Sequence, residues 1–307
     1  MTYRLSLNDE VGDALRTVAR DELEAASRGL GDGHADDPVE AVHDARKRLK
    51  KTRSALRLAR PAMRGGEYRT ENRLLRDRGR ALSGARDADV MVETVDALAE
   101  RFAGQAPAAL FDAVRVRLAE RAAAVREGAE DDVVGQAAEL GTLAARVDEW
   151  PLERSSADTL VRGLERSYAR GRDAFERAER RPTTTNLHEL RKRVKDLWYQ
   201  ERLLGDAWPG MMKANARESK ALSRLLGDDH DLAVLEAVLA DEEVTRDVAA
   251  DVGELLELIA HRREELLAEI LALGRRVYAE PPKAFRRRMR RYLRLAISEP
   301  PPATVGV

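Results

Sequence analysis

One short basic segment occurs twice in this chain, and the duplication limits the folds that the chain can adopt. Residues 42–58 read VHDARKRLKKTRSALRL, and residues 187–203 read LHELRKRVKDLWYQERL, at an offset of 145. Basic matches alone are weak evidence in an arginine-rich chain, but His43 aligns with His188 and the chain has only five histidines. The repeat predicts two related half-domains that face a single polyanion.

Both copies separate into an apolar face and a polar stripe on a helical wheel. The apolar positions recur at spacings of three and four and are predicted to pack inward. They are Val42, Ala45, Leu49, Thr52 and Leu56 in the first copy, and Leu187, Leu190, Val194 and Leu197 in the second. The polar stripes are His43, Arg46, Lys47, Lys50, Arg53, Ser54 and Arg57, and His188, Arg191, Lys192, Lys195, Tyr199 and Arg202. The first stripe spans about 21 Å, long enough to follow a polymer.

A second basic series is duplicated at an offset of 144. Its members share one helical face, since they recur at i, i+4, i+7 and i+11. They are Arg69, Arg73, Arg76 and Arg80 in the first half, and Lys213, Arg217, Lys220 and Arg224 in the second. Like charges at i, i+4 destabilise a helix by a few tenths of a kcal/mol per pair, so stripes without interleaved acids favour a compensating anion. The alternative is solvated helix faces with acids nearby.

Composition predicts an all-α protein with room for two domains. The chain has 307 residues, only 4% aromatic residues and 36% charged residues, and its long stretches rich in Ala, Leu, Glu and Arg favour helix. It has no cysteine, which fits a reducing compartment, and the sequence shows no signal peptide or apolar span. We therefore expect a soluble, cytoplasmic protein. The net charge of -1 conceals local basic stripes.

Turn and capping signals divide the chain into residues 1–150, residues 151–298 and a disordered tail, 299–307. Asp37 is predicted to cap the first basic helix, with Pro38 at its first position. Downstream of the second basic series, Gly84 and Gly227 are each predicted to end a helix, and Asp87 and Asp231 to lie at or near the start of the next.

The two motifs V-H-x-x-R-K-R-x-K and L-H-x-x-R-K-R-x-K resemble those of the CHAD domain, the conserved histidine α-helical domain. The resemblance extends from about Ser6 to Ile297. It implies two four-helix-bundle halves related by pseudo-twofold symmetry, with a basic channel that binds inorganic polyphosphate and attachment to polyphosphate granules. By position, the ligand-binding residues are those of the four stripes except Ser54. The E-x-E-x-K motif of an accompanying triphosphate-tunnel domain is missing, so we expect a non-catalytic binding module without cofactor or metal.

Two other functions remain open from the residues. A basic groove with stacked aromatics binds single-stranded nucleic acid, but only Tyr199 lies within a predicted stripe and Trp198 lies toward the apolar edge. The dipeptides His43-Asp44 and His230-Asp231 resemble parts of metal-dependent HD phosphohydrolases, without further histidines at ligand spacing. We also expect His43 and His188 to be biased toward the neutral form and to take up protons with a polyanion. The sequence indicates no oligomeric state.

Overall fold

The computed structural model describes residues 3–31, 37–82, 85–127, 133–240 and 249–299. Within those ranges there is no β-strand, which confirms the predicted all-α class. The α-helices of this part of the chain are α1 (Val11–Gly31), α2 (Pro38–Ala59), α3 (Gly65–Ala81), α4 (Ala85–Arg101), α5 (Ala108–Glu127), α6 (Val133–Arg146), α7 (Ala157–Arg180), α8 (Thr184–Leu203), α9 (Pro209–Leu239), α10 (Ala249–Val277) and α11 (Pro282–Ser298). None of these helices is long and apolar enough to cross a membrane.

The start of α2, the first basic helix, follows the predicted capping pattern. Oδ1 of Asp37 accepts a hydrogen bond from the backbone N–H of Glu40 at 3.0 Å, and a proline occupies the first turn. An N-cap side chain of this kind satisfies a backbone N–H that has no partner within the helix. The predicted cap is confirmed, and it sets the residue at which α2 begins.

The predicted helix break at Gly227 in the second half is wrong. Gly227 lies inside α9, which is 31 residues long. Gly227 is buried, and a Cβ atom at this position would lie 3.7 Å from Nη2 of Arg191 on α8. The packing of α9 against α8 and α10 outweighs the cost of about 1 kcal/mol for a helical glycine. Asp231 therefore lies within a helix and caps nothing. The corresponding break at Gly84 lies outside the described residues, as does the tail beyond Glu299.

We refer to helices α1–α6 as the first half and to helices α7–α11 as the second half, and the helices of the two sets pack in a related order. In the first half α1 packs against α2 and α6, and α2 packs against α3; in the second half α7 packs against α8 and α11, and α8 packs against α9. The α4–α5 pair also reaches the second half, where α4 contacts α9 and α5 contacts α10. The division of the chain at Trp150 stays a prediction.

The two basic helices lie at the junction of the halves, where α2 packs against both α7 and α8. A Cβ atom at Gly163 of α7 would lie 2.1 Å from the carbonyl oxygen of Leu58 on α2, so only glycine allows this approach of the two backbones. Between α2 and α8, the Ser54 hydroxyl donates to the carbonyl oxygen of Asp196 at 3.0 Å, and Nε2 of Gln200 donates to that of Ser54 at 3.2 Å.

The N-terminal segment that precedes α1, residues 3–6, has no regular secondary structure and lies along the same junction. The hydroxyl of Tyr3 donates to the carbonyl oxygen of Lys51 on α2 at 3.0 Å, and the N–H of Leu5 donates to that of Leu203 on α8 at 2.8 Å. The side chains of Tyr3 and Leu5 are buried. This segment therefore covers one edge of the α2–α8 pair and contacts both halves.

Candidate functional site

Four cations from the two repeats converge beside the contact of α2 and α8. Arg46 and Lys50 come from α2, Arg191 and Lys195 come from α8, and we call these four residues the crossing cluster. Lys195 is half-buried, and its pKa falls to about 7, mainly because of burial and in addition because of the positive charges of Lys50, Arg191 and Arg46. The charge of Asp231 acts in the opposite direction. The two duplicated stripes thus meet at one cationic site.

An apolar seam positions the crossing cluster. Ala45 and Leu49 on α2 and Leu190 and Val194 on α8 are all at most 1% exposed. Their spacing of four residues buries one face of each helix and leaves the basic residues on the flanking positions. The inward face predicted for these positions is confirmed.

The histidine of the second repeat contacts another histidine. Nδ1 of His188 lies 3.3 Å from Nδ1 of His230 on α9, so one ring donates and the other accepts. Burial lowers the pKa of His188, and the charges of Lys192 and Arg191 lower it further, which agrees with the expected bias toward the neutral form. His43 is half-buried on α2. In the sequence, His230 was noted only as part of the dipeptide His230-Asp231. In the structure, the carboxylate of Asp231 lies 3.9 Å from the guanidinium of Arg191.

The prediction that Tyr199 lies on the exposed stripe is wrong. Tyr199 is 4% exposed and lies in the core, with its ring stacked on Trp198 at 4.6 Å and edge-on to Tyr3 at 6.2 Å. Burial raises its pKa to about 12. Ser54, its counterpart in the first repeat, is fully buried. The helical wheel assigned both residues to the correct side of their helices. In the structure, that side is covered by the N-terminal segment at Tyr199 and by α8 at Ser54.

Several stripe cations have acidic partners, as the alternative of solvated helix faces with acids nearby predicts for them. Lys47 pairs with Asp44 at 3.0 Å and Lys192 pairs with Glu189 at 2.5 Å. Both lysines are exposed, and surface pairs of this kind contribute at most about 1 kcal/mol, so an anion can still compete for them. Arg57 is held more firmly, in a part-buried pair with Asp196 at 3.0 Å.

The second basic series lies mostly on the surface, and two of its members act electrostatically on residues near the first series. Arg76 is half-buried, and the remaining members are exposed: Arg69, Arg73, Arg80, Lys213, Arg217, Lys220 and Arg224. Arg76 acts on Arg53, whose pKa falls to about 10, first through burial and then through Arg57. The charges of Arg224 and Arg191 both act on Asp228.

A cleft of about 540 Å³ opens beside the crossing cluster, between α4 on one side and α9 and α10 on the other. Its lining combines apolar side chains with the acids Glu93, Glu100, Asp228 and Asp231, while Arg101 and Arg262 contribute positive charges. No sequence pattern indicated this cleft, since it forms only when α4 packs across the other half.

Comparisons with known proteins agree with this architecture. The family model described as CHAD domain matches residues 14–240. The crystal structure of the CHAD domain from the plant Ricinus communis superposes with a TM-score of 0.53 at 20% sequence identity, over 96% of this chain and 93% of that chain. At this identity, the likeness supports the fold alone. None of the curated proteins matches the chain.

Proposed function

Because the chain belongs to the CHAD domain family, we propose that it binds inorganic polyphosphate along the basic surface where α2 packs against α8, which we call the groove. The crossing cluster is the observation that carries this proposal. Two arginines and two lysines from separate halves meet there, and one of the lysines has its pKa lowered to about 7. Burial and the neighbouring cations disfavour the charged form of Lys195, and a bound anion would favour it.

The residue types suit a repetitive anion. Arg46 and Arg191 each offer a planar fork that can hold two phosphate oxygens, whereas Lys50 and Lys195 act as mobile point charges. The stripe of α2 extends for about 21 Å from His43 to Arg57, which exceeds the size of a single phosphate group. These properties favour a linear polyphosphate over one isolated phosphate ion.

Single-stranded nucleic acid is less favoured because the groove lacks a stacking surface for bases. Tyr199 is buried, and Trp198 is half-buried with one face against Tyr199. The guanidinium of Arg202 lies 5.5 Å from the Trp198 ring centre. Proteins that hold bases without sequence preference stack them on accessible aromatic rings, so a polymer without bases fits this groove better.

Binding without hydrolysis is part of the proposal, together with attachment to polyphosphate granules. The carboxylates of both HD dipeptides face cations, since Asp44 pairs with Lys47 and Asp231 lies near Arg191. A phosphate-release assay with Mg²⁺ or Mn²⁺ tests this part. Release that is abolished by His230→Ala would replace binding with catalysis.

Calorimetric binding of medium-chain polyphosphate tests the groove directly. Reversing two charges in Lys50→Glu/Lys195→Glu should weaken affinity by at least about tenfold. The matched control is Arg154→Glu/Lys283→Glu, which makes the same charge change at exposed positions outside the groove and should affect affinity much less. Unchanged affinity in the first variant contradicts the proposal. Competition with single-stranded RNA at matched salt separates the two polymers, because both bind with steep salt dependence.

A further inference from the structure

The two ends of the groove differ, although the helices that form it are repeats. Arg57 of α2 and Arg202 of α8 are counterparts at the offset of 145. We call the two ends of the groove the Arg57 end and the Arg202 end. Their surroundings differ in cover and in charge.

The Arg202 end is covered and neutralised. The guanidinium of Arg202 lies over the rings of Tyr3 and Trp198, at 5.8 and 5.5 Å from the ring centres. The adjoining cations of α2 are engaged by one acid on α1, because Glu22 binds Lys51 at 2.8 Å and Arg48 at 3.2 Å. A polyanion at this end would meet the N-terminal segment and find few available charges.

The Arg57 end is strongly basic and partly exposed. Arg60, Arg166, Arg170 and Arg193 line one small pocket there together with Asp196, and we call these four arginines the exit cluster. Arg166 and Arg170 are exposed on α7, and Arg60 lies over the Tyr68 ring at 4.6 Å. Among the described residues, no carboxylate forms an ion pair with Arg60, Arg166 or Arg170. The part of the Arg170 side chain that is shielded from solvent lowers the pKa of this arginine, and the charge of Arg193 lowers it further.

The difference between the two ends follows from sequence positions at which the two repeats carry different residues. At the offset of 145, Arg166 and Arg170 correspond to Asp21 and Ala25, and Arg60 corresponds to Gly205. The acid that neutralises the Arg202 end, Glu22, has the uncharged Ser167 as its counterpart. The two halves therefore share the crossing cluster but not its extensions.

We propose that bound polyphosphate is anchored at the crossing cluster and leaves the groove only over the Arg57 end, where the exit cluster holds further phosphate units. This inference rests on the proposed function. The path along α2 continues into the turn that follows it, since Lys50, Arg53, Arg57 and Arg60 follow at spacings of three and four. From Lys50 to the end of the helix at Arg60 the rise is about 15 Å, which accommodates several phosphate units.

Chain length is the variable that tests this inference. The variant Arg166→Gln/Arg170→Gln should bind tripolyphosphate within about twofold of the unaltered protein, because the crossing cluster is intact. It should bind medium-chain polyphosphate at least about tenfold more weakly. The control variant is Arg4→Gln/Arg154→Gln, which removes two charges from exposed positions, one of them beside the Arg202 end. It should bind both ligands as the unaltered protein does.

The possible outcomes separate this inference from the proposed function. If the unaltered protein binds neither ligand, the proposed function fails. If it binds both, and the Arg166→Gln/Arg170→Gln variant keeps its affinity for medium chains, only the exit cluster is refuted. Equal losses for short and medium chains also refute it, since these arginines would then belong to the anchoring site. Circular dichroism of each variant verifies the helical fold.

Discussion

Replacing Lys195 by methionine should stabilise the protein at low pH and lose much of this effect at high pH. Methionine keeps an unbranched side chain of similar length but removes the ammonium group from the crossing cluster. Burial and three neighbouring cations lower the pKa of Lys195 from 10.5 to about 7. This difference corresponds to about 5 kcal/mol of unfavourable interaction in the charged, unliganded protein, before allowance for the part of the side chain that solvent reaches.

The sign follows from where the proton is lost. Below pH 7 the lysine is charged in both states, so the folded protein bears the whole penalty. Between pH 7 and 10.5 the folded protein loses its proton while the unfolded chain keeps it, and the free energy of unfolding rises by up to about 1.4 kcal/mol per pH unit. The unaltered protein should therefore recover about 2 to 3 kcal/mol between pH 6 and pH 9, whereas the methionine variant recovers none through this residue.

Urea denaturation at pH 6, 7, 8 and 9, without any polyanion, measures this difference. The quantity of interest is the free energy of unfolding of Lys195→Met minus that of the unaltered protein, in which the titration of distant groups cancels. The control Lys213→Met removes an exposed lysine and should give a difference that does not vary with pH. An advantage for Lys195→Met that stays constant from pH 6 to pH 9 would refute the reasoning.

Three further predictions concern the same region and the junction of the halves. Polyphosphate binding below about pH 7 should take up protons, because the anion raises the lowered pKa of His188; calorimetry in buffers of different ionisation enthalpy measures the uptake, and His188→Gln should reduce it. Burial raises the pKa of Glu201 to about 8, so the folded protein loses stability as pH rises from 4.5 towards 8; thermal unfolding of Glu201→Gln should lack this loss. Gly163→Ala should destabilise the protein by about 2 kcal/mol or more, since its Cβ would overlap the Leu58 carbonyl. The control Gly210→Ala, which has open space around the Cβ position, should not destabilise it. Equal melting temperatures for the two variants would contradict the close contact.

The regular parts of the fold could be predicted because they depend on local signals. Asp37 and Pro38 mark the start of α2 by capping and by ring geometry, which act within one turn. The prediction of a helix break at Gly227 was wrong because packing between distant parts of the chain decides the outcome there. A helical glycine costs about 1 kcal/mol, and this cost is exceeded by the packing of α9 on its neighbours, which no local pattern reveals.

The site was predictable only where the repeats agree. Lys50 and Lys195 match in sequence and meet in the structure. Tyr199 was misplaced because the segment that begins at Tyr3 covers a helix face that a helical wheel treats as exposed. Arg166 and Arg170 could not be found by comparing the halves, because their counterparts carry no positive charge.

The contact of Gly163 with Leu58 also bears on how fast and how selectively a ligand can bind. Where two backbones touch, the helices that carry them cannot tilt or slide without a clash, so the cations of both halves are held at fixed separations before a ligand arrives. The free-energy cost of assembling like charges is then met during folding and not during association. A rigid site of this kind selects anions by the spacing of their charges, and a compact anion of equal total charge should bind it more weakly than an extended one.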